Sequence, residues 1–581
     1  MKGSQQSLVA LLKSLLFGWA VMILVGACQS VKEVPTVSNV ATMVLKNGVI
    51  YPMETTRQRV TTIAIRENKI VYIGYEAGAQ KWIGSETKVV DLGGKMVLPS
   101  FTDGHIHPIS GGSRLLNCDL TDLRTDAEVI AKIKAYAAAN PDKKWIQGGG
   151  LWLPSIGGGN PNKSVLDAID SERPIFITST DGHNAWVNSK ALKIAKVTKD
   201  TKNPVGGVIE RAADGSPSGT LREYAMGLVR KFIPPMTLEE KAEAIGLAID
   251  IAHQNGITAW VDAAVDEETI QAYLQLEKAG KLDLDVTLAL ITEIIKEMDA
   301  VEEVIALQKK YENESKHINL KSTKILIDGV VEGKTAALFE NYVGEDFKGE
   351  PYISAEAYND MVAAYDKAGF QVHVHACGDR GVSMTLDAFE HAQKVNQTED
   401  ARHHIVHLQL INEKDIPRFR ELDVIANLQT LWATPEDTYI SDLTIPVVGP
   451  ERSAWIYPFG AIANSGAMLA NGSDWPVTSM NPFPAIQVAL TRRGPDSEVR
   501  DPWMPQHLMN LNDVLLGYTN GGAYLNFAET ERGALTVGKS ADLIVLNQDL
   551  FAVPKTEIHK TKVLMTLYRG KVVHITEEIG S

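Results

Sequence analysis

The chain has 581 residues, of which 44% are hydrophobic and 22% are charged, an ordinary composition for a large globular protein. Its net charge of -15 argues against nucleic-acid binding, because a polyanion is bound by clustered Lys and Arg and the sequence has no basic stripe. Three cysteines exclude a disulfide framework, which a chain of this size does not need for a stable core.

The first residues have the layout of a secretory signal. After a polar start with two lysines, residues 15–27 (LLFGWAVMILVGA) form an uncharged apolar run, too short for a comfortable membrane span, that ends in small residues. Residues 24–28 (LVGAC) resemble a bacterial lipobox, which predicts a signal peptide over 1–27 and a lipidated Cys28. Because Gln29 follows, the resemblance points to the outer membrane if the cell is Gram-negative. An uncleaved anchor, or a plain signal peptide with a coincidental cysteine, is the alternative.

Strand-like segments lie at both ends of the remaining chain. Residues 28–41 are polar with Pro and Ser, which is typical of a tether. Over 42–95, short runs rich in Val, Ile and Tyr are broken by turn residues, and similar runs return only over 531–581. These segments predict a small β-rich unit that is built from both termini and brackets the central part of the chain.

The central part, residues 96–530, alternates strand-like and amphipathic helical segments. Such alternation indicates parallel strands, and eight of them indicate an α/β fold of the TIM-like (β/α)8 barrel type. The strand-like runs are residues 96–104, 174–180, 256–263, 319–329, 370–376, 404–410, 423–429 and 467–475. A ninth run, 284–292, leaves the assignment of the eight strands open: either it or the run over 319–329 lies outside the barrel.

Two histidines close the first of these runs, in the sequence DGHIH. Alternate side chains of a strand lie on the same side, so His105 and His107 are roughly 7 Å apart along it and can converge on one metal ion. Barrel enzymes place their active sites at this carboxyl end of the strands. A turn with two surface histidines is the alternative.

Three later apolar runs also end in a polar residue of a metal-binding type. These residues are His375, His407 and Asp474. Imidazole and carboxylate groups are common ligands of zinc, whereas unrelated buried polar side chains are costly without partners. The sequence therefore predicts a divalent metal site, most simply a zinc site.

Five segments together resemble the amidohydrolase superfamily and, within it, the YtcJ-like (amidohydrolase-3 type) branch that includes N-substituted formamide deformylases. The segments are VLPSFTDGHIHP, STDGHNAWVNSKAL, HACGDRGV, NGSDWPV and GALTVGKSADLIVLN. The resemblance implies a TIM-like barrel with a composite β-sandwich. It also implies metal-dependent hydrolysis of a non-peptide C–N bond in an amide, N-formyl, N-acyl or cyclic amide compound.

The resemblance also implies a set of ligands for one or two divalent ions. The matching residues are His105, His107, Lys324, His375, His407 and Asp474. A buried lysine is readily deprotonated, so CO2 can convert Lys324 to a carbamate that bridges two ions. Glu223 is the alternative carboxylate, and His373 is the alternative to His375. His403 and His404 are interpreted as structural, and Cys377 as a small packed residue.

Asp474 is predicted to act as the catalytic base as well as a ligand. His183, which follows another strand end, is predicted to contact the substrate and to help hold the developing oxyanion. Trp475 is a candidate wall of the pocket. Trp152, in a candidate lid over residues 151–165, suggests an apolar substituent on a small-molecule substrate. An isomerase using the same metal, a catalytically inert solute-binding lipoprotein and a homo-oligomer all remain open.

Overall fold

The computed structural model describes residues 40–580, apart from residues 55–58, 181, 183, 205–206, 435–438 and 500. The predicted signal peptide, Cys28 and the tether up to residue 39 lie outside the described residues. Within the described part, no helix has the length and apolar character needed to span a membrane.

Eight parallel strands, β1 to β8, form the barrel, and each pairs with its neighbour in the chain order. They are Phe101–Ile106 (β1), Ile257–Val265 (β2), Asp285–Ile291 (β3), Ile318–Leu326 (β4), Gln371–Ala376 (β5), His404–His407 (β6), Ile425–Leu428 (β7) and Leu469–Asn471 (β8). The chain after β8 completes the ring: the Asp474 N–H donates to the His105 carbonyl at 2.8 Å, and the His107 N–H donates to the Trp475 carbonyl at 2.9 Å. The predicted barrel is confirmed.

Helices alternate with the barrel strands and pack their apolar sides on them. The longer ones are Leu238–Gln254, Glu267–Lys278, Met298–Tyr311, Ala355–Lys367, Asp379–Asn396 and Pro482–Thr491, and the shorter ones are Pro108–Leu116, Ile416–Glu421, Ile445–Val448, Pro450–Ser453, Phe459–Asn464, Leu511–Leu516 and Gly522–Leu525. The helix Leu238–Gln254 begins with a capping box, because Thr237 and Glu240 each accept the other's backbone N–H. Its buried side chains include Ile245 and Ile249, which join the main hydrophobic core.

Two further sheets form a β-sandwich that uses both ends of the described chain. One contains Lys69–Gly74, Thr62–Arg66, Met43–Lys46 and Lys88–Asp91, and the other contains Val49–Ile50, Met96–Pro99, Leu543–Leu546, Val563–Tyr568 and Lys571–Ile575. Short helices, Glu76–Ala79 and Glu577–Gly580, flank them. Fully buried side chains such as Leu45, Ile65, Leu543 and Leu567 fill a common core. The predicted composite β-sandwich is therefore confirmed.

The first strand-like run contains two strands. Met96–Pro99 pairs antiparallel with Leu543–Leu546 of the sandwich, and only the following segment enters the barrel as β1. The chain changes sheets at Ser100, whose N–H donates to the Asp542 carbonyl at 3.1 Å. The expectation that residues 96–104 form one barrel strand is corrected accordingly.

A six-stranded sheet is inserted between β1 and β2. Its strands are Gly207–Arg211, Pro217–Glu223, Asn184–Val187, Ile175–Ser179, Ile146–Leu151 and Cys118–Asp119, with the helices Asp126–Ala139, Lys163–Ile169, Ser189–Ile194 and Gly227–Arg230. The interpretation of 174–180 as a barrel strand is wrong, because Ile175–Ser179 pairs antiparallel with Asn184–Val187 in this insert. The run over 284–292 supplies β3 instead. Both runs are mainly apolar and their strands show no regular alternation of buried and exposed residues, so periodicity does not tell their sheets apart.

Candidate metal centre

Three side chains from opposite ends of the barrel sequence converge at the carboxyl end of the strands. The Nε2 atoms of His105 and His107 each lie 3.2 Å from Oδ1 of Asp474. The potential ligand atoms of all three residues lie within 4.8 Å of one another. Oδ1 of Asp474 is buried and makes no hydrogen bond of normal geometry to any described residue. The three atoms therefore face a common point, and this donor set fits a divalent ion.

The protonation states of this group also fit a cation. Burial lowers the pKa of His105 to about 3, so its imidazole is neutral, which is the form that ligates a metal. Burial alone would raise the pKa of Asp474, but the adjacent His105 and His107 hold it well below its ordinary value. An ionised carboxylate and a neutral imidazole therefore face the same point.

Two residues of the predicted ligand set have left-handed backbone conformations, which are uncommon outside glycine. Asp474 has φ 54° and His407 has φ 74°. Backbone hydrogen bonds support both: the Asp474 N–H donates to His105, and the His407 N–H donates to Oε1 of Gln429 at 2.8 Å. Strained residues of this kind concentrate at functional sites, where the surrounding structure holds them.

The structure brings His375 and His407 beside this group. The rings of His105 and His407 are 5.0 Å apart between centroids, and those of His375 and His407 are 4.5 Å apart. Nε2 of His375 donates to the Gly329 carbonyl at 3.1 Å, which leaves Nδ1 as the nitrogen that can ligate. The ring of His407 is parallel to that of Trp432, with centroids 5.2 Å apart, and its Nδ1 is buried without a hydrogen bond to the described part of the chain.

Lys324 lies inside the barrel on β4 and is only 3% exposed. Its Nζ is 3.5 Å from Nε2 of His373. Burial lowers the pKa of Lys324 to about 7, so a substantial fraction of the amine is neutral near physiological pH. Carbamate formation requires a neutral amine, and Lys324 provides one beside the histidine cluster.

The other histidines of the barrel interior have supporting positions. Nε2 of His373 lies 2.8 Å from Nδ1 of His105, so this pair orients His105 from the side away from Asp474. His373 also packs against His404, with ring centroids 4.1 Å apart. Nδ1 of His403 accepts the Val372 N–H, and Nε2 of His403 lies 3.2 Å from Oδ1 of Asp366. Both ring nitrogens of His403 therefore contact groups other than the predicted metal ligands.

Several supporting residues were missed in the sequence. The buried Asp103 accepts the N–H groups of His105 and Ser473, at 3.2 and 2.9 Å, and so joins β1 to the segment that carries Asp474. Asn427 donates to the Gly104 carbonyl at 2.8 Å. The position of Asp103 two residues before His105 was the available signal. Nothing in the sequence indicated Asn427 or Gln429.

The other residues that the sequence predicted for the site lie in different parts of the fold. His183 lies outside the described residues. Trp152 is in the inserted sheet's region, where the guanidinium carbon of Arg124 is 5.3 Å from its ring centroid. Trp475 packs directly on Gly111, where a Cβ atom would lie 2.0 Å from the indole ring. Glu223 ends an inserted strand with an exposed side chain and φ 50°.

Cys377 lies close to the cluster without the protonation state of a metal ligand. Its Sγ is 3.6 Å from Nε2 of His375. Burial raises the pKa of the thiol well above its ordinary value, which favours the neutral, packed form.

Comparison with known proteins assigns the family. Residues 88–574 match the amidohydrolase family, which is most of the chain. The chain belongs to the amidohydrolase family. It is therefore a hydrolase, and the family together with the His105, His107 and Asp474 cluster makes it a metal-dependent one that acts on a small molecule.

Relatives extend over nearly the whole chain. Protein LONG AFTER FAR-RED 3 of Arabidopsis thaliana is 30% identical over 553 residues, which cover 93% of this chain and 93% of the relative. The N-substituted formamide deformylase of Arthrobacter pascens is 23% identical over 524 residues, covering 87% and 94%. The crystal structure of a metal-dependent hydrolase from Pyrococcus furiosus is 25% identical with a TM-score of 0.69, covering 87% of this chain and 99% of that chain.

Proposed function

We propose that this amidohydrolase cleaves a non-peptide C–N bond in a small amide, with N-formyl, N-acyl and cyclic amides as the substrate classes. The observation that carries the proposal is the convergence of His105, His107 and Asp474 at the carboxyl end of the barrel strands. Similarity to a formamide deformylase supports N-substituted formamides as the first compounds to test.

Zinc is the proposed metal, because neutral imidazoles and carboxylates form its usual ligand set. The proposed ligands are His105, His107, His375, His407 and Asp474, with a carboxylated Lys324 as a bridge between two ions. A bound divalent ion would supply a Lewis acid for the scissile carbonyl and lower the pKa of a water molecule towards neutrality.

The chain's own residues would then position groups and move protons. The ionised Asp474 would accept a proton at its carboxylate and deliver it to the departing nitrogen. His183 would donate a hydrogen bond to the oxygen of the substrate carbonyl as negative charge develops there. Trp475 and Trp152 are the proposed apolar contacts of the substrate.

Turnover of a compound panel in oxygen-18 water tests this function. We expect at least one N-formyl or N-acyl compound to release its amine, or at least one cyclic amide to open to an amino acid, with one solvent oxygen in the carboxyl group that forms. A rearranged product without solvent oxygen would instead indicate an isomerase. Saturable binding of the panel without turnover by the metal-loaded protein would indicate a solute-binding protein.

The proposed protein is an exported lipoprotein that is anchored to a membrane through a lipid on Cys28. If the cell is Gram-negative, the proposed location is the outer membrane, with the enzyme on its periplasmic or cell-surface face. We expect Cys28→Ala to move the protein from the membrane fraction to the soluble fraction, because the lipid anchor is then lost. Cys118→Ala is the matched control, since that buried cysteine belongs to the inserted sheet. A Cys28→Ala protein that stays fully membrane-bound contradicts the lipid anchor.

A further inference from the structure

Arg114 lies beside the metal centre, on the helix that follows the first barrel strand. This helix, Pro108–Leu116, begins directly after His107, which is its N-cap residue. Nη1 of Arg114 donates to the Pro476 carbonyl at 3.0 Å, and Pro476 is only two residues from Asp474. Two residues of chain span at most about 7 Å, so the Arg114 guanidinium lies at the rim of the site that His107 and Asp474 form.

The Arg114 side chain lies at the junction between the barrel and the inserted sheet. A Cβ atom on Gly149, in the inserted strand Ile146–Leu151, would lie 3.6 Å from Nε of Arg114. Three positions earlier, on the same face of the helix, Gly111 lies against the indole ring of Trp475. The guanidinium is therefore close to a residue that is a proposed apolar contact of the substrate.

The guanidinium of Arg114 has donors that the fold does not use. Within the described part of the chain it donates one hydrogen bond, to a neutral carbonyl, and forms no ion pair. The carboxylate that influences it is Asp119, whose Oδ1 already accepts the backbone N–H and the hydroxyl of Thr121. The Arg114 side chain is only partly buried, and its Nε and Nη2 are not sealed in the interior. A ligand can therefore reach these two donors.

The positive charge of Arg114 is incompletely compensated by the protein. Burial lowers the pKa of Arg114, yet a guanidinium stays protonated near neutral pH, and moving a charge out of water costs free energy unless an opposite charge pairs with it. Other buried or partly buried arginines have such a partner: Arg173 pairs with Asp170 at 2.7 Å, and Arg402 pairs with Asp400 at 2.7 Å. At Arg114 the matching anion is therefore expected to come from a bound molecule.

We propose that Arg114 determines substrate specificity by binding a carboxylate of the substrate, so that the preferred substrates are amides that carry a carboxylate. This inference rests on the proposed amide hydrolysis and narrows it to acidic substrates. Nε and Nη2 lie on one edge of the planar guanidinium, and their two N–H bonds match the two oxygens of a carboxylate. The scissile amide would lie at the metal centre, and the carboxylate would lie between Pro476 and the inserted sheet.

Two matched pairs of probes test the role of Arg114. N-acetylglycine and N-acetyl-β-alanine place a carboxylate at two distances from the acetamide group, and their terminal amides have the same shape without the charge. Isothermal titration calorimetry with the metal-loaded, full-length protein gives the dissociation constants, and steady-state kinetics gives kcat and KM for each probe that is hydrolysed. We expect the wild type to bind at least one carboxylate probe about tenfold more tightly than its amide, because charge-assisted hydrogen bonds are the stronger ones.

Arg114→Gln should weaken the binding of that carboxylate probe about tenfold or more, should leave the amide probes within about twofold, and should raise KM more than it lowers kcat. Arg114→Lys should give an intermediate affinity, because it keeps the charge but loses the paired N–H bonds. Arg230→Gln is the matched control, since it removes the same charge from an exposed arginine of the insert, whose guanidinium carbon is 5.7 Å from the ring centroid of Phe176. We expect this control to bind every probe as the wild type does.

A Tm for each variant separates a loss of binding from a loss of folding, and Arg114→Lys decides the matter if Arg114→Gln does not fold. A wild type that binds neither carboxylate probe more tightly than its amide overturns the proposal. An Arg114→Gln variant that keeps the wild-type preference also overturns it, because the carboxylate would then be bound elsewhere, as at the metal centre. If the probes bind without hydrolysis, the proposed function fails in this assay, while the dissociation constants still decide the role of Arg114.

Discussion

The Asp474→Asn variant should lose about three orders of magnitude in kcat, because the change removes both a proton carrier and a negatively charged ligand. The side chain keeps its size, and asparagine tolerates the left-handed backbone, φ 54°, that Asp474 adopts. Loss of activity in this variant therefore reports on the carboxylate rather than on the fold. Steady-state kinetics with the best substrate of the panel, together with a Tm for each protein, is the measurement.

A second buried carboxylate provides the control. Asp366 accepts hydrogen bonds from Asn396 and Thr398, both at 2.7 Å, and lies beside His403 instead of the metal centre. We expect Asp366→Asn to lower Tm while kcat stays within about twofold of the wild type, because distant sites act independently. Asp474→Asn that keeps more than a tenth of the wild-type kcat would exclude Asp474 as the base.

Lys324→Ala should lower activity about 100-fold or more and should remove one of two bound ions, because the proposed bridge is lost. The ammonium first loses one proton; the neutral amine then attacks CO2, a C–N bond forms while one C–O π bond opens, and the nitrogen loses a second proton. The side chain therefore changes from one positive to one negative charge. Among metal cations the negative carbamate is favoured over an ammonium. A short-chain carboxylate such as propionate should restore part of the activity by occupying the bridge.

Carbon-13 NMR of protein incubated with labelled bicarbonate measures the modification directly. We expect a carbamate signal in the wild type that is absent from Lys324→Met, a variant that keeps a long buried side chain at this position. Full activity and an unchanged number of bound ions in both Lys324 variants would contradict the bridge. If one ion is bound, a single-metal mechanism with Asp474 as base would then be favoured. If two are bound, Glu223 would be the next carboxylate to test.

The barrel and the sandwich were predictable because short apolar runs, turn residues and helical segments alternate along the chain in a characteristic order. The assignment of individual runs was less certain, since Ile175–Ser179 and Asp285–Ile291 are both mainly apolar and show no regular alternation of buried and exposed residues. Which sheet each joins depends on contacts with strands that are distant in the sequence. The change of sheets at Ser100 was not predictable for the same reason, because the carbonyl that accepts the Ser100 N–H belongs to Asp542, which is distant in the sequence.

The converging side chains were predictable for a similar reason. His105, His107 and Asp474 close apolar runs, and the carboxyl ends of parallel barrel strands meet on one face. The supporting contacts were not predictable from the sequence. Asp103 accepts the Ser473 N–H although 370 sequence positions separate the two residues, and His373 contacts His105 although 268 positions separate them. Only the folded chain brings these groups together.

The metal content of the protein, measured together with its activity, tests the central claim most directly. The claim is that His105, His107 and Asp474 hold a divalent ion on which hydrolysis depends. Protein purified without chelator should contain at least one equivalent of a divalent transition ion by elemental analysis. The double variant His105→Ala/His107→Ala should lose both the ion and the release of amine while remaining folded. A wild-type protein that contains no metal and still hydrolyses its amide substrate would contradict the claim.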